Sequence, residues 1–149
     1  MLRWLLHSDA SVVGLILRLT LAVVIFPHGA QKVLGWFGGP GFKNTLEFFT
    51  GSGVPTGLAL LVMAAEFLGP LGLAVGLLTR VAAFGIACVM LVASITVHWP
   101  HGFFMNWDGT QQGEGFEFHV LALGIAVAII IMGAGAWSLD RMLTGRGIR

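Results

Sequence analysis

The sequence is poor in charge and in cysteine. Only 10% of its 149 residues are charged, against about 25% in a typical soluble domain. The single cysteine, Cys88, cannot form a disulfide within the chain, and there is no CxxC pair for dithiol exchange. The net charge is +1 with no basic cluster, so we expect no nucleic-acid partner.

Apolar residues make up 56% of the chain, more than one soluble core of this size could bury, so lipid must cover many of them. A run of about 20 apolar residues is long enough to span a bilayer. We expect an all-α polytopic membrane protein, a single domain over residues 1–149 with four transmembrane helices in an antiparallel bundle. The predicted helices cover about residues 11–32, 54–78, 80–98 and 118–137, and a short interfacial helix follows the first one. The N-terminal region lacks a convincing signal cleavage site, so we expect the first helix to be retained.

Arginine residues collect on one side of these four helices: Arg3, Arg80, Arg141, Arg146 and Arg149. The opposite side has only Lys32 and Lys43 as basic residues, together with several acidic ones. Because loops rich in lysine and arginine stay in the cytoplasm, we expect both termini in the cytoplasm and the two long loops outside.

Two charged residues, Arg18 and Glu66, interrupt the apolar runs. A charge inside a membrane helix is rare and marks a functional site unless a partner accounts for it. At about 1.5 Å per helical residue, Arg18 lies roughly 9–10 Å from the cytoplasmic edge, with Glu66 at a similar depth. We therefore predict a structural ion pair between them, with a proton or substrate path as the alternative.

The other ionisable side chains gather at the outer ends of three helices. They are His28 and Lys32 on the first helix, His98 and His101 on the third, and Glu117 and His119 on the fourth. A metal site would need converging histidine and carboxylate ligands, and since the spacings HxxxH and ExxH are absent, we predict no metal. Acid–base chemistry fits better, because imidazole titrates near neutral pH. Tryptophan and phenylalanine residues at this end could contact a planar ring.

An ordered set of motifs resembles a known family. Arg18, His28, Gly29 and Lys32 are spaced across the first helix, and GWFGGPG follows at residues 35–41. EFLGPLGLAVGLLTR begins at Glu66, and GFF, GEGFEFH and GAGAWSLD follow later in the chain. Together these motifs resemble the DoxX family of small bacterial membrane proteins over essentially the whole chain. The resemblance implies a four-helix protein of the bacterial cytoplasmic (inner) membrane.

A related branch, DoxD, is the membrane subunit of thiosulfate:quinone oxidoreductase, and other relatives associate with thiol-handling or redox partners. The resemblance therefore implies a membrane subunit of a redox complex, part of a quinone-linked oxidoreductase that contacts quinone at the outer face. We expect acid–base roles for His28, Lys32, Glu117 and His119. We expect His28, Lys32, His98, Trp99 and His119 to hold the quinone.

The expected partners are membrane lipid and either other subunits or a second copy of this chain. The lack of a cysteine pair favours a partner that supplies the sulfur or redox chemistry. The alternative is a non-catalytic anchor or assembly subunit, which docks other membrane or peripheral proteins.

Overall fold

The computed structural model describes residues 6–144. Within this range the chain is all-helical and has no strand, which confirms the predicted all-α class. The helices are α1 (Val12–Leu34), α2 (Gly41–Gly51), α3 (Thr56–Val75), α4 (Thr79–Ala93), α5 (Glu117–Met132) and α6 (Leu139–Leu143). A π-helical turn, Ser94–His98, and a 3-10 turn, Trp99–His101, extend α4 without a break. Arg3, Arg146 and Arg149 lie outside the described residues.

Three helical segments are long and apolar enough to cross a membrane: Val12–Leu34, Thr56–Val75 and Thr79–His101. The fourth apolar helix, α5, is shorter, with 16 residues. The chain is therefore a membrane protein.

Four of the helices surround a thin core. α1 packs against α3 and α5, and α4 packs against the same two helices on the other side. The buried side chains at the centre come from all four helices: Leu21, Ala22, Ile25, Leu73, Ala83, Ile86, Met90, Ala122, Ala126 and Ile129. Many large apolar side chains stay exposed on the outer surface, including Val23, Phe84 and Ile131. This distribution fits a protein in a bilayer, because lipid covers the apolar side chains on the outer surface of the helices.

Gly76 ends α3 earlier than the sequence predicted. It adopts a left-handed conformation with φ of 70°, which favours glycine because a side chain would be strained there. A Cβ at Gly76 would also lie 2.4 Å from the Cβ of Ser138. The helix therefore stops at Val75, and the chain turns tightly into α4.

The predicted ion pair between Arg18 and Glu66 is wrong. Arg18 is 1% exposed, and its guanidinium donates to four backbone carbonyls. The distances are 2.7 Å to Leu73, 2.7 Å to Ala74, 3.2 Å to Ala136 and 2.6 Å to Trp137. The last carbonyls of a helix lack partners within it, so the end of α3 is a natural acceptor. Glu66 lies seven residues back from Leu73, about 10 Å along the axis, and is too far to compete.

Two further charged side chains connect the helices at this end of the bundle, which we call the Arg18 end. The buried carboxylate of Asp140 accepts from the backbone N–H groups of Leu78 and Thr79, at 2.8 and 2.9 Å. It thereby satisfies free donors at the start of α4. Arg80 donates to the carbonyl of Ile130, at 2.8 Å, near the end of α5. Neither role was predicted from the sequence.

Candidate functional site

An ion pair joins α1 to α3 at the opposite end of the bundle, which we call the Lys32 end. The ammonium of Lys32, in the last turn of α1, binds Oε2 of Glu66, near the middle of α3. The side chain of Glu66 is 3% exposed and that of Lys32 is 29% exposed. A lysine near a helix end usually extends its charge toward the headgroups, but Lys32 turns back into the bundle. A carboxylate and an ammonium are therefore held together among apolar helices.

Gly29 explains how the two helices come close enough for this pair. A Cβ on Gly29 would lie 2.1 Å from the backbone carbonyl oxygen of Glu66 and 2.7 Å from Cα of Phe67. The backbones of α1 and α3 thus touch at this point, and small residues are what permit such contact between membrane helices. Lys32 follows Gly29 by three residues, which puts it on the same face of α1.

His28 extends the group toward α5. It lies within electrostatic range of both Lys32 and Glu66, and its side chain is exposed. Its ring centroid is 6.1 Å from that of Phe118, in the first turn of α5. His28 is therefore the exposed polar side chain of this group, on the side that faces α5.

His119 and His98 lie beside it. The ring centroids of these two histidines are 4.1 Å apart, and His119 also lies within electrostatic range of His28. His119 is 6% exposed, and within residues 6–144 its Nδ1 has no hydrogen-bond partner. A buried polar atom without a partner costs about 1–3 kcal/mol, so a ligand or water that reached Nδ1 would recover free energy. The three histidines approach one another from α1, α5 and the extension of α4.

The π-helical turn Ser94–His98 brings His98 to this position. π-Helical turns are rare in proteins, and those that occur are often found at functional sites. Nδ1 of His98 lies 2.8 Å from the backbone carbonyl of Glu114, which ties the histidine to the loop before α5. The ring of His98 is thus fixed on one side by the loop and on the other by His119.

Two predicted site residues hold the loop before α5 instead of joining this group. The carboxylate of Glu117 accepts from the backbone N–H of Met105, at 3.0 Å, and from Nε1 of Trp107, at 3.1 Å. The ring of Trp99 stacks on that of Phe116, with centroids 5.0 Å apart. In the part of the chain that the structure describes, Glu117 forms no hydrogen bond with Lys32, His28 or His119. Its role is to hold the loop at residues 102–116.

Among residues 6–144, no three His, Cys, Asp or Glu side chains are arranged to hold a metal ion. A cavity of about 350 Å³ lies within the same loop, between residues 100–104 and the side chains of Gln111 and Gln112. It is lined by none of the residues around the Lys32–Glu66 pair. The candidate site is therefore the group formed by Lys32, Glu66 and the three histidines.

The model of the DoxX family matches residues 13–99, more than half of the chain. The chain belongs to the DoxX family. The DoxX segment includes the Lys32–Glu66 pair and His28 and ends one residue after His98, so His119 lies outside it.

Two similar proteins align with nearly the whole DoxX chain. The protein named "Putative oxidoreductase CatD" from Bacillus subtilis (strain 168) is 29% identical over 135 residues, which is 91% of this chain and 90% of that protein. "Inner membrane protein YqjF" from Escherichia coli (strain K12) is 27% identical over 129 residues, or 87% and 90% of the two chains. No solved structure matches the sequence.

Proposed function

We propose that this chain is the membrane subunit of a DoxX-type redox complex and that it binds a quinone head group at the Lys32 end. The observation that carries the proposal is the Lys32–Glu66 ion pair beside His28. A buried ion pair is weak evidence for stability, because well-packed apolar residues would often serve as well. Ionisable residues inside membrane helices instead accompany proton and substrate paths. The pair is therefore best understood as part of a binding site.

The proposed topology has four spans, with α1, α3, α4 and α5 forming an antiparallel bundle and both termini in the cytoplasm. The arginine distribution along the sequence supports this orientation. The 16 residues of α5 extend about 24 Å, and a short helix can be accommodated by local thinning of the bilayer. The Lys32 end then faces outward. The name of the Escherichia coli relative supports the bacterial inner membrane as the location.

The residues at the Lys32 end fit a quinone head group. The group has two carbonyl oxygens that accept hydrogen bonds, and Nζ of Lys32 and the imidazole of His28 are donors that the lipid side can reach. The ring of Phe118, beside His28, offers an apolar face for ring contact. Nδ1 of His119, for which the described part of the chain offers no hydrogen-bond partner, adds one more polar atom nearby.

A bound quinone would supply a redox couple, since its reduction to the quinol takes up two electrons and two protons. Nζ of Lys32 would donate a hydrogen bond, and then a proton, to a quinone oxygen, while Oε2 of Glu66 holds the ammonium in place. The imidazole of His28 lies beside the pair and can relay a proton, and its exposed position connects the buried pair to the surface. Dithiol oxidation within this chain cannot supply the electrons, because Cys88 is its single cysteine, and we therefore assign the electron donor to a partner. The name of the Bacillus subtilis relative supports an oxidoreductase class.

The test is quinone binding by the protein purified in a mild detergent. We expect Lys32→Ala and His28→Ala to weaken the binding of decylubiquinone by about tenfold or more, a loss of one strong hydrogen-bonding contact. Lys43→Ala and His101→Ala are matched controls, because Lys43 is exposed on α2 and His101 packs against Gly113 in the loop. Both controls should bind like the wild type.

Two outcomes would overturn the proposal. One is a wild-type protein that binds no quinone, and the other is unchanged binding in both the Lys32→Ala and His28→Ala variants. If the purified protein then retained a stoichiometric partner but no quinone, the anchor function would be favoured. Mass spectrometry of the lipids, quinones and subunits that remain after extraction separates these cases.

A further inference from the structure

α2 packs against both helices that carry the Lys32–Glu66 pair. It contacts α1 and α3, and Thr45 is its single buried residue, at 4% exposed. The other polar side chains of this helix are exposed: Lys43, Asn44, Glu47 and Thr50. Thr45 therefore marks the point where α2 meets the bundle.

The two threonines of α2 use their hydroxyl groups differently. Oγ1 of Thr50 donates to the carbonyls of Leu46 and Glu47, at 2.9 and 3.2 Å in the same helix, as a threonine inside a helix commonly does. Oγ1 of Thr45 instead donates to the carbonyl of Lys32, at 3.1 Å. This hydrogen bond joins α2 to the residue whose ammonium enters the ion pair.

The carbonyl of Lys32 lies where a helix is least constrained. Lys32 is in the last turn of α1, the last four carbonyls of a helix lack partners within it, and helix ends fray. A lysine on a loose last turn can extend its ammonium toward the headgroups. The hydroxyl of Thr45 gives this carbonyl a partner and holds the turn. The segment between α1 and α2 adds to the constraint, because a Cβ on Gly39 would lie 2.4 Å from Cα of Gln31.

We propose that Thr45 is a positioning residue for the quinone site. By holding the last turn of α1 through the carbonyl of Lys32, it directs the ammonium toward Glu66 instead of toward the headgroups. The inference rests on the proposed quinone function and adds that α2 sets the affinity for quinone. Thr45 acts through Lys32 and does not itself bind the ring.

The first measurement follows the reaction of the lysines with a water-soluble acetylating reagent, on the full chain in lipid nanodiscs without quinone. Lys32 and Lys43 are the only lysines in the sequence, and Lys43, whose side chain is 85% exposed, is the internal standard. Thr45→Val removes the hydroxyl group at nearly the same volume. We expect Lys32 then to react about fivefold faster relative to Lys43, as the loss of one hydrogen bond would give. Thr45→Ser keeps the hydroxyl group and should preserve the slow reaction of the wild type.

The second measurement is the affinity of the same proteins for decylubiquinone. Thr45→Val should weaken binding by about fivefold, and Thr45→Ser should bind like the wild type. Thr50→Val is the matched control, because it removes a hydroxyl group that bonds only within α2. It should change neither the reaction of Lys32 nor the affinity for quinone.

A purely structural role of Thr45 would lower the melting temperature and leave the reaction of Lys32 unchanged. Slow acetylation of Lys32 in a folded Thr45→Val protein would therefore overturn the inference. Faster acetylation with an unchanged quinone affinity would also overturn it, since the direction of the ammonium would then not matter for binding. Thr45→Ala decides the matter if Thr45→Val does not fold. A wild type that binds no quinone refutes the proposed function, and the acetylation then shows separately whether Thr45 holds Lys32.

Discussion

The ammonium of Lys32 binds the carboxylate of Glu66, and the two partners are unequally buried, at 29% and 3% exposed. Because of this asymmetry, removing Lys32 and removing Glu66 should have different effects on the stability of the protein. Without Lys32, a buried carboxylate has no cation. Without Glu66, the lysine can extend toward the interface, as lysines near helix ends do.

We expect Lys32→Met to lower the free energy of unfolding in detergent by about 3 kcal/mol, because it strands a buried charge. Glu66→Gln should cost only about 1 kcal/mol, close to the value of one hydrogen bond. The double variant should be more stable than Lys32→Met alone. Denaturant titration of the four proteins measures all three differences. A larger loss for Glu66→Gln than for Lys32→Met would contradict the asymmetry.

Arg18→Lys should be destabilising even though it keeps the charge. One nitrogen of the guanidinium donates to Leu73 and Ala74, and the other donates to Ala136 and Trp137. A single ammonium cannot serve both pairs of carbonyls with good geometry. We expect a loss of about 2 kcal/mol, since buried acceptors remain unsatisfied. The reverse exchange on the surface, Lys43→Arg, is the control, and equal stability of the two variants would show that the four contacts are unimportant.

Gly29→Ala should disrupt the contact between α1 and α3, because its Cβ would lie 2.1 Å from the carbonyl oxygen of Glu66. Gly124→Ala is the matched control, since a Cβ at this helical position would meet no atom within 4 Å from the rest of residues 6–144, apart from its own turns of helix. There the substitution should be neutral or slightly stabilising, by about 0.5–1 kcal/mol. Comparing the folded yield and the melting temperature of the two variants tests this, and a well-folded Gly29→Ala protein would speak against the close contact.

The arginine distribution predicts which loops face outward. In a Cys88→Ser background, cysteines placed at Ser52 and Thr110 should react with a membrane-impermeant maleimide in intact cells. A cysteine at Thr144 should react only after the cells are opened. Labelling of Thr144 from outside would reverse the orientation and would move the proposed quinone site to the cytoplasmic face.

The helical, membrane-embedded class could be predicted from the sequence, because the apolar runs are long and charges are few. The partners of the charges could not. Glu66 was predicted to lie level with Arg18, but it is nine residues from the end of α3 at Val75, about 14 Å along the axis, and its carboxylate binds Lys32 instead. The true acceptors of Arg18 are carbonyl oxygens, which every residue possesses, so no sequence pattern identifies them.

The Lys32–Glu66 pair could not be predicted from the sequence either. A lysine at a helix end is ordinarily expected at the interface, and nothing in its own position indicates that it turns inward. Gly29 was the available signal, since a glycine three residues before Lys32 permits the close approach of a second helix. The grouping of histidines at one end could be expected from topology alone. The contacts by which Glu117 and Trp99 hold the loop could be identified only from the structure.

The four contacts of Arg18 also affect the order in which the chain can be assembled. The first helix enters the membrane with Arg18 already in it, but two of the four carbonyls belong to residues 136 and 137, near the end of the chain. During synthesis the charge must therefore remain hydrated, or stay beside the insertion machinery, until α5 and the segment that follows it have been made. A nascent chain that stopped before residue 136 would carry an incompletely bonded arginine, a defect that membrane quality control could detect before the protein reaches any partner.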